Sequence, residues 1–320
     1  MDSQEKINLI KRNSVEIINE KSISSTIKKK DLKVYCGYEI SGEIHLGHLV
    51  TIFKLMDFQK AGITPIILLA DWHTWLNKKG DWKSIEKETK NWEKGIKATG
   101  LKAKFMKGTD FQKKPEYIDD LMELAINTTV NRGVRSMQMV ARDIESAKIS
   151  QLIYPLMQIA DIKHLDLDFV TSGLEQRKIH ALGTELFDKI KFKKSPIFIH
   201  TGLITSLKGP GNKMSSSIPE SMISIRDSKE DIEKKIKKAH CIEGETEQNP
   251  ILEITKYIIF PKFGGIEIKR PEKFGGNLAF SDYKKLESEF KNKNIHPLDL
   301  KNAVAEHLEK IIEPIRKVYP

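Results

Sequence analysis

Val34-Tyr35-Cys36-Gly37-Tyr38 reads as a short strand, and Ser41-Gly42 follows as a loop. From about Leu46 the apolar residues Leu49, Ile52, Phe53 and Met56 share one helical face, and Gly62 stops the helix. Pro65-Ile66-Ile67-Leu68-Leu69-Ala70 is then a continuous apolar run, as expected for a strand buried on both faces. Strand, helix and buried strand in close succession make a βαβ unit, and such a unit implies an α/β fold with a parallel sheet.

Working outward, Ile7, Leu9, Ile10, Val15, Ile17 and Ile18 predict an amphipathic helix at the N-terminus. Trp82, Ile85, Trp92 and Ile96 recur at helical spacing within 81–100. Further strands are predicted at 103–106, 165–170 and 196–201, with two helices over 116–150 and an apolar helix over 151–161. Lys208-Gly209-Pro210-Gly211-Asn212 has the composition of a mobile loop. Past Ser228 the texture changes: a basic helix at 232–238, a Gly- and Pro-bearing stretch over 258–283, then helix over 299–318. A domain boundary is placed near 228, giving domains 1–228 and 229–320.

The 320 residues suffice for a real core without staples. Hydrophobic content of 39% against 31% charged excludes a disordered chain. No apolar run approaches the roughly 20 residues of a membrane helix, so no membrane partner is expected. Cys36 and Cys241, with no CxxC spacing, exclude a disulfide framework and a Cys-rich zinc module. The first 20 residues mix acids with bases and hold no apolar h-region, so a cytoplasmic location is expected. Lys plus Arg is 54 against 44 Asp plus Glu, a net charge of +10. That balance suits a polyanion such as nucleic acid, and suits equally a Lys-rich surface.

Two motifs carry chemistry. Gly42-Glu43-Ile44-His45-Leu46-Gly47-His48 lies where the first strand turns into its helix. His45 and His48 share a face on the first turn, where free N–H groups and the dipole attract phosphate. Two imidazoles there can donate to a phosphoryl group gaining charge. Gly47 leaves room for a flat base near the backbone. A single histidine at such a place is usually structural; the pair at a strand-to-helix turn is not. Lys213-Met214-Ser215-Ser216-Ser217 follows the Gly-Pro-Gly loop, and a lysine on such a loop can close over a triphosphate. Alone it is an ordinary Ser-rich turn; the two motifs in this order are far more specific.

His-Leu-Gly-His followed downstream by Lys-Met-Ser-Ser-Ser resembles the class I aminoacyl-tRNA synthetases. Within them the chain is similar to the tyrosyl-tRNA synthetases of the archaeal and eukaryotic type. The likeness runs over essentially the whole chain. It includes 35–39, 69–73, Tyr154-Pro155-Leu156-Met157-Gln158, Gly173-Leu174-Glu175-Gln176-Arg177-Lys178-Ile179-His180 and Lys269-Arg270-Pro271-Glu272-Lys273-Phe274-Gly275-Gly276. It implies a Rossmann-like catalytic domain with a helical insertion at about 110–150, a smaller, mostly helical anticodon domain, and a homodimer. It also implies two reactions: ATP activates L-tyrosine as tyrosyl-adenylate, and the tyrosyl group passes to the 3′ end of tRNA-Tyr. Mg²⁺ is expected only with ATP, and no protein-bound metal or organic cofactor.

By the same resemblance His45, His48 and Lys213 are catalytic, and Gly47 and Ser216 contact ATP. Tyr35 and Asp161 meet the substrate phenol; Tyr154, Gln158 and Gln176 surround its α-amino group. Glu39, His73, Phe111, Gln112 and Leu165 line the pocket. A buried carboxylate facing a phenol hydroxyl is left unsatisfied by phenylalanine, which such a site rejects without editing. Without the likeness, Tyr35 is an ordinary core tyrosine and Tyr154/Gln158 a helix pair. Asp161 inside an apolar helix needs a partner in any reading. For tRNA, Arg177 and Lys178 resemble residues near the first acceptor base pair, and Phe274, His296 and Asp299 fall where the anticodon's first base is bound. Arg132 and Arg135 are weaker candidates, Arg142 lies on the same expected helix, and Lys234, Lys235, Lys237 and Lys238 make either an RNA-facing or a solvated face.

The chain departs from the family pattern at Ile40, usually Pro, and at Ile218-Pro219, usually Lys-Gly; the second is expected to stiffen the loop. Three rivals are a tryptophanyl enzyme, a silent RNA-binding paralogue and a small-acid nucleotidyltransferase. Tyr35 with Asp161 speaks against the first, intact His45, His48 and Lys213 against the second, and the C-terminal segment against the third.

Overall fold

The computed structural model describes residues 1–138, 148–216 and 218–319; Arg142 and Ser217 lie outside them. The chain forms two compact units, each assembled from separate stretches: Met1–Ser41, Lys54–Glu93 and Leu101–Thr201, and Gly42–Phe53, Lys94–Gly100 and Gly202–Pro320.

The first unit is built on a six-stranded sheet: β1 (Ser14–Ile18), β2 (Lys33–Tyr38), β3 (Thr64–Leu69), β4 (Lys104–Lys107), β5 (Phe169–Gly173) and β6 (Ile197–Thr201), in the order β1-β6-β5-β2-β3-β4. Five strands are parallel, so the α/β class read from the first βαβ unit is what the structure has. β5 and β6 are buried at every residue, which is why they read as apolar runs. The order reverses at β2, where β5 lies on one side and β3 on the other. In doubly wound sheets ligands bind at the carboxyl ends of the strands at such a switch point. β2 and β5 hold only the two register pairs Val34–Phe169 and Tyr35–Val170. The helices Pro115–Ile126, Val130–Met137, Ile149–His164 and Arg177–Leu186 share one apolar core with Tyr35, Ile66, Leu68, Val170 and Phe198 of the sheet.

Several boundaries shift by one to three residues, and two readings change in kind or place. The N-terminal helix is only Ser3–Lys11, capped at Asp2; Asn13 at φ 56° turns the chain, and Val15, Ile17 and Ile18 belong to β1, antiparallel to β6. Residues β-branched at alternate and adjacent positions suit a pleated edge, and the partner strand decides. The strand expected over 165–170 is displaced: Leu165 caps the preceding helix, Asp166 turns at φ 53°, and β5 begins at Phe169.

In the second unit Ile232 and Ile236 of the basic helix Lys229–Lys238 pack on the helix Pro297–Arg316, whose Leu300, Val304, Leu308, Ile312 and Ile315 form the buried stripe. The stretch 258–283 holds a hairpin of β7 (Ile266–Ile268) and β8 (Leu278–Phe280). No described helix is long and apolar enough to cross a membrane.

Candidate functional site

In the first unit the helix Ile149–His164 carries Tyr154, Gln158 and Asp161 on one side. Asp161 is fully buried. Its Oδ1 accepts from Gln112 Nε2 at 2.8 Å and lies 2.8 Å from the Tyr117 hydroxyl, whose single proton is shared with the Met157 carbonyl at 2.9 Å. Its Oδ2 has no hydrogen-bond partner, and His73 Nε2 stands 3.9 Å away. Burial pushes the Asp161 carboxyl up to about 7, only partly offset by the Gln112 and Tyr117 hydrogen bonds. His73 is pushed down to about 4 by burial and is neutral, so it supplies no charge to Oδ2. The pocket therefore holds a carboxylate with one oxygen anchored and one unanswered. Burying an unpaired acceptor costs free energy that a ligand hydroxyl removes.

Tyr35 on β2 is buried, and both burial and the nearby Asp161 charge raise its phenol well above the ordinary range. The ring folds over Gly37: a Cβ there would stand 2.6 Å from the Tyr35 hydroxyl oxygen. Tyr154 meets His73 edge-on, with centroids 4.6 Å apart. Gln158 Nε2 is 3.3 Å from His180 Nε2. Gln176 Oε1 and Glu175 Oε2 are buried without hydrogen-bond partners. Glu39 pairs with Lys79 and accepts from Asn77. Tyr117, Glu175 and His180 are the members that sequence reading missed; a buried tyrosine within reach of Asp161 comes from a different helix and left no local signal.

In the second unit the segment before the helix Leu46–Lys60 is clamped on 222–226. Leu46 N–H donates to the Ile223 carbonyl at 3.1 Å, and Ile225 N–H to the Ile44 carbonyl at 3.0 Å. The clamp presents both histidines. His45 Nδ1 accepts from Gly47 N–H and His48 Nδ1 from His45 N–H, each at 3.1 Å. Each ring thus carries its proton on Nε2, as a donor. Burial, then the Lys213 charge, brings His45 down to about 4, so it is neutral. The space at Gly47 is taken by His45: a Cβ would stand 2.8 Å from its Cε1. Lys213 bridges to Thr205 at the end of a turn in which Ser206 N–H donates to the Asn212 carbonyl, and the Ser216 side chain lies against Gly42. Ile218 N–H donates to the Ser215 carbonyl and Pro219 opens a short 3₁₀ turn.

Of the candidate RNA contacts, Phe274 is 61% exposed on the turn of the β7–β8 hairpin, with Lys273 Nζ 4.9 Å from its centroid. His296 caps the helix Pro297–Arg316 by accepting from Leu298 N–H, and Asp299 sits in its first turn. Arg177 is bound by Glu16, Lys178 by Gln138 and Arg132 by Glu185. Lys235 is bound by Asp227 at 2.6 Å, which takes it from the exposed face of its helix.

The family model of tRNA synthetases class I (W and Y) matches residues 27–313. The tyrosine--tRNA ligase of Methanocaldococcus jannaschii is 48% identical over 310 residues, 97% of this chain and 98% of that one. The crystal structure of the Archaeoglobus fulgidus tyrosyl-tRNA synthetase complexed with L-tyrosine superposes with a TM-score of 0.96 at 44% identity, covering 100% of both chains. The tryptophanyl-tRNA synthetase of Aeropyrum pernix shares the fold at a TM-score of 0.74 and 19% identity. A buried carboxylate with one unpartnered oxygen and a clamped histidine pair thus occur in a chain that belongs to the class I tRNA synthetases of tryptophan and tyrosine, among the tyrosine--tRNA ligases.

Proposed function

We propose that the protein activates L-tyrosine with ATP and transfers it to the 3′ end of tRNA-Tyr, with the residue roles that follow. The observation that carries the choice of tyrosine is Asp161 Oδ2, a buried carboxylate oxygen without a partner beside the Tyr35 phenol. The substrate phenol donates to Oδ2 and accepts from Tyr35. Tyr154, Gln158 and Gln176 take the ammonium group. The tyrosine carboxylate attacks the α-phosphorus of ATP in line, forming the mixed anhydride and releasing pyrophosphate. Mg²⁺ arrives as part of the ATP substrate. His45, kept neutral by burial, and His48 donate from Nε2 to phosphate oxygens as charge builds, Lys213 stabilises the pyrophosphate, Ser216 contacts ATP, and Gly47, whose N–H holds the His45 ring and whose open face that ring covers, acts through His45. The terminal ribose hydroxyl of the tRNA then attacks the activated carbonyl and AMP leaves. No covalent enzyme intermediate is needed; positioning and charge stabilisation supply the rate.

Arg177 and Lys178 meet the first acceptor base pair, and Phe274, His296 and Asp299 the anticodon. The functional division is kept near residue 228, with catalysis before it and anticodon reading after it. The working assembly is a cytoplasmic homodimer. Support for the dimer comes from Met122, Ile126, Val130 and Ile149, four large apolar side chains left exposed around the insertion.

The test is charging of tRNA-Tyr transcripts whose acceptor ends begin C1:G72 or G1:C72, alongside tyrosine- and tryptophan-dependent ATP–pyrophosphate exchange. Exchange with tyrosine and charging selective for C1:G72 are expected. Tryptophan exchange exceeding tyrosine exchange overturns the substrate, and exchange without charging overturns the RNA assignments.

A further inference from the structure

A chain of hydrogen bonds leaves the tyrosine pocket through the interior of the first unit. Gln158 Nε2 lies 3.3 Å from His180 Nε2, His180 Nδ1 lies 2.9 Å from His200 Nε2, and His200 Nδ1 lies 3.0 Å from Glu16 Oε2. Arg177 Nε donates to both Glu16 oxygens, at 2.6 and 2.8 Å. His180 and His200 are fully buried, their ring planes within 13° and their centroids 5.1 Å apart, the edge-to-edge geometry of a ring-to-ring hydrogen bond, and His180 stacks on Phe198. Glu16 is placed there by the edge strand: a register shift between Ser14 and Glu16 sets Glu16 directly opposite His200 in the β1–β6 ladder.

The end of this chain dictates its direction. Burial opposes ionisation of Glu16, but Arg177 and His200 outweigh it and hold its carboxyl below the usual range. A carboxylate only accepts, so His200 must carry its proton on Nδ1. Burial keeps both histidines neutral, outweighing the pull of Glu16 on His200. His200 Nε2 is then a bare acceptor of the hydrogen bond that His180 Nδ1–H donates. His180 Nε2 is bare in turn, and only the NH₂ end of the Gln158 amide can face it. The opposite flip would set the amide oxygen against a lone pair.

We propose that Glu16, His200 and His180 are positioning residues: a one-way hydrogen-bond relay that locks the Gln158 amide with its nitrogen inward, leaving its oxygen as the acceptor for the substrate ammonium group. This rests on the assignment of Gln158 to the tyrosine α-amino group. The relay explains why two histidines without contact to the phosphate chemistry are buried next to the pocket, and why the edge strand shifts register between Ser14 and Glu16.

The test compares two ligands on the full chain by titration calorimetry: L-tyrosine and 3-(4-hydroxyphenyl)propionate, which is tyrosine without the amine. His180→Phe keeps the aromatic stack on Phe198 but removes both ring nitrogens. It should weaken tyrosine about tenfold, the equivalent of one lost hydrogen bond to a charged group, and leave the amine-free acid within about twofold. Glu16→Leu should act in the same direction, and Glu16→Gln, which still offers His200 an acceptor oxygen, should recover affinity to within about threefold of the parent. The Glu16 pair lies on a half-exposed strand and decides the matter alone should His180→Phe not fold. Equal weakening of both ligands, or unchanged tyrosine affinity in His180→Phe and Glu16→Leu, overturns the relay while leaving the tyrosine assignment intact. A parent protein that binds the amine-free acid as tightly as tyrosine overturns the role of Gln158 itself, and the relay with it.

Discussion

Asp161 joins two properties that pull in opposite directions. Its folded-state carboxyl stands at about 7, above the ordinary 3.8, so between those values the native state binds more protons than the unfolded chain. Stability therefore falls as pH rises through that window, and the whole cost is present above about pH 7. Asp161→Asn removes the charge while its amide oxygen can still accept from Gln112 and Tyr117. Denaturant unfolding at pH 8 should show the variant more stable, by up to about 4 kcal/mol, with no gain at pH 4. Tyrosine activation should drop about 10- to 100-fold in kcat/KM, because the charge-assisted hydrogen bond to the phenol is lost. In the parent, tyrosine affinity should decline as pH falls below about 7, as Oδ2 loses its charge. Gly37 is the second sensitive residue. Gly37→Ala places a methyl group 2.6 Å from the Tyr35 hydroxyl oxygen, so the ring must move. The KM for tyrosine should rise about tenfold or more with the KM for ATP little changed, in ATP–pyrophosphate exchange. Asp161 was legible in the sequence as a carboxylate in an apolar helix; the unanswered state of one of its two oxygens was not, since it depends on what four other segments place around it.

At the scale of elements, β1 is instructive. Val15, Glu16, Ile17 and Ile18 fit a helical pattern continued from Ile7 and Ile10, and fit a strand as well. The choice falls to β6, which offers an unpaired edge, and to Asn13, which turns the chain at positive φ. His296 shows the reverse case, a residue marked for RNA that also has a structural duty. It accepts from Leu298 N–H and so caps the helix Pro297–Arg316. His296→Ala should cost about 1 kcal/mol in unfolding, whereas His296→Asn, a good cap, should cost little. If the anticodon reading holds, both variants lower tRNA charging alike despite their different stabilities, and charging rates checked on the two proteins separate the roles. The loop after Lys213 is held by Ile218 N–H and by the Ser221 hydroxyl, which donates to the Ile218 carbonyl at 2.7 Å. Pro219 restricts the same turn, and Pro219→Gly should alter the rate of adenylate formation without moving the KM for tyrosine.

For the whole molecule the net charge of +10 is the one global quantity tied to function. The KM for tRNA should rise steeply between 50 and 200 mM salt, roughly linearly in a log–log plot, while tyrosine-dependent exchange changes little over the same range. Ile126→Glu, at a side chain 79% exposed, should shift the sedimentation profile from dimer toward monomer. The sequence by itself determined the α/β class, the strand-to-helix turn with its paired histidines, the Lys-Met-Ser-Ser loop and the family. These are local patterns: periodicity, turn chemistry and motif spacing survive in a linear string. The tertiary structure alone decided that β1 is a strand, that His45 fills the space at Gly47, that Tyr117 shares the Asp161 carboxylate, and that Glu16 and Gln158 are joined through two histidines. The His45 contact is local in sequence but set by a rotamer that the sequence does not state; the others depend on burial and hydrogen-bond direction among residues as many as 184 positions apart, and no window of sequence contains them.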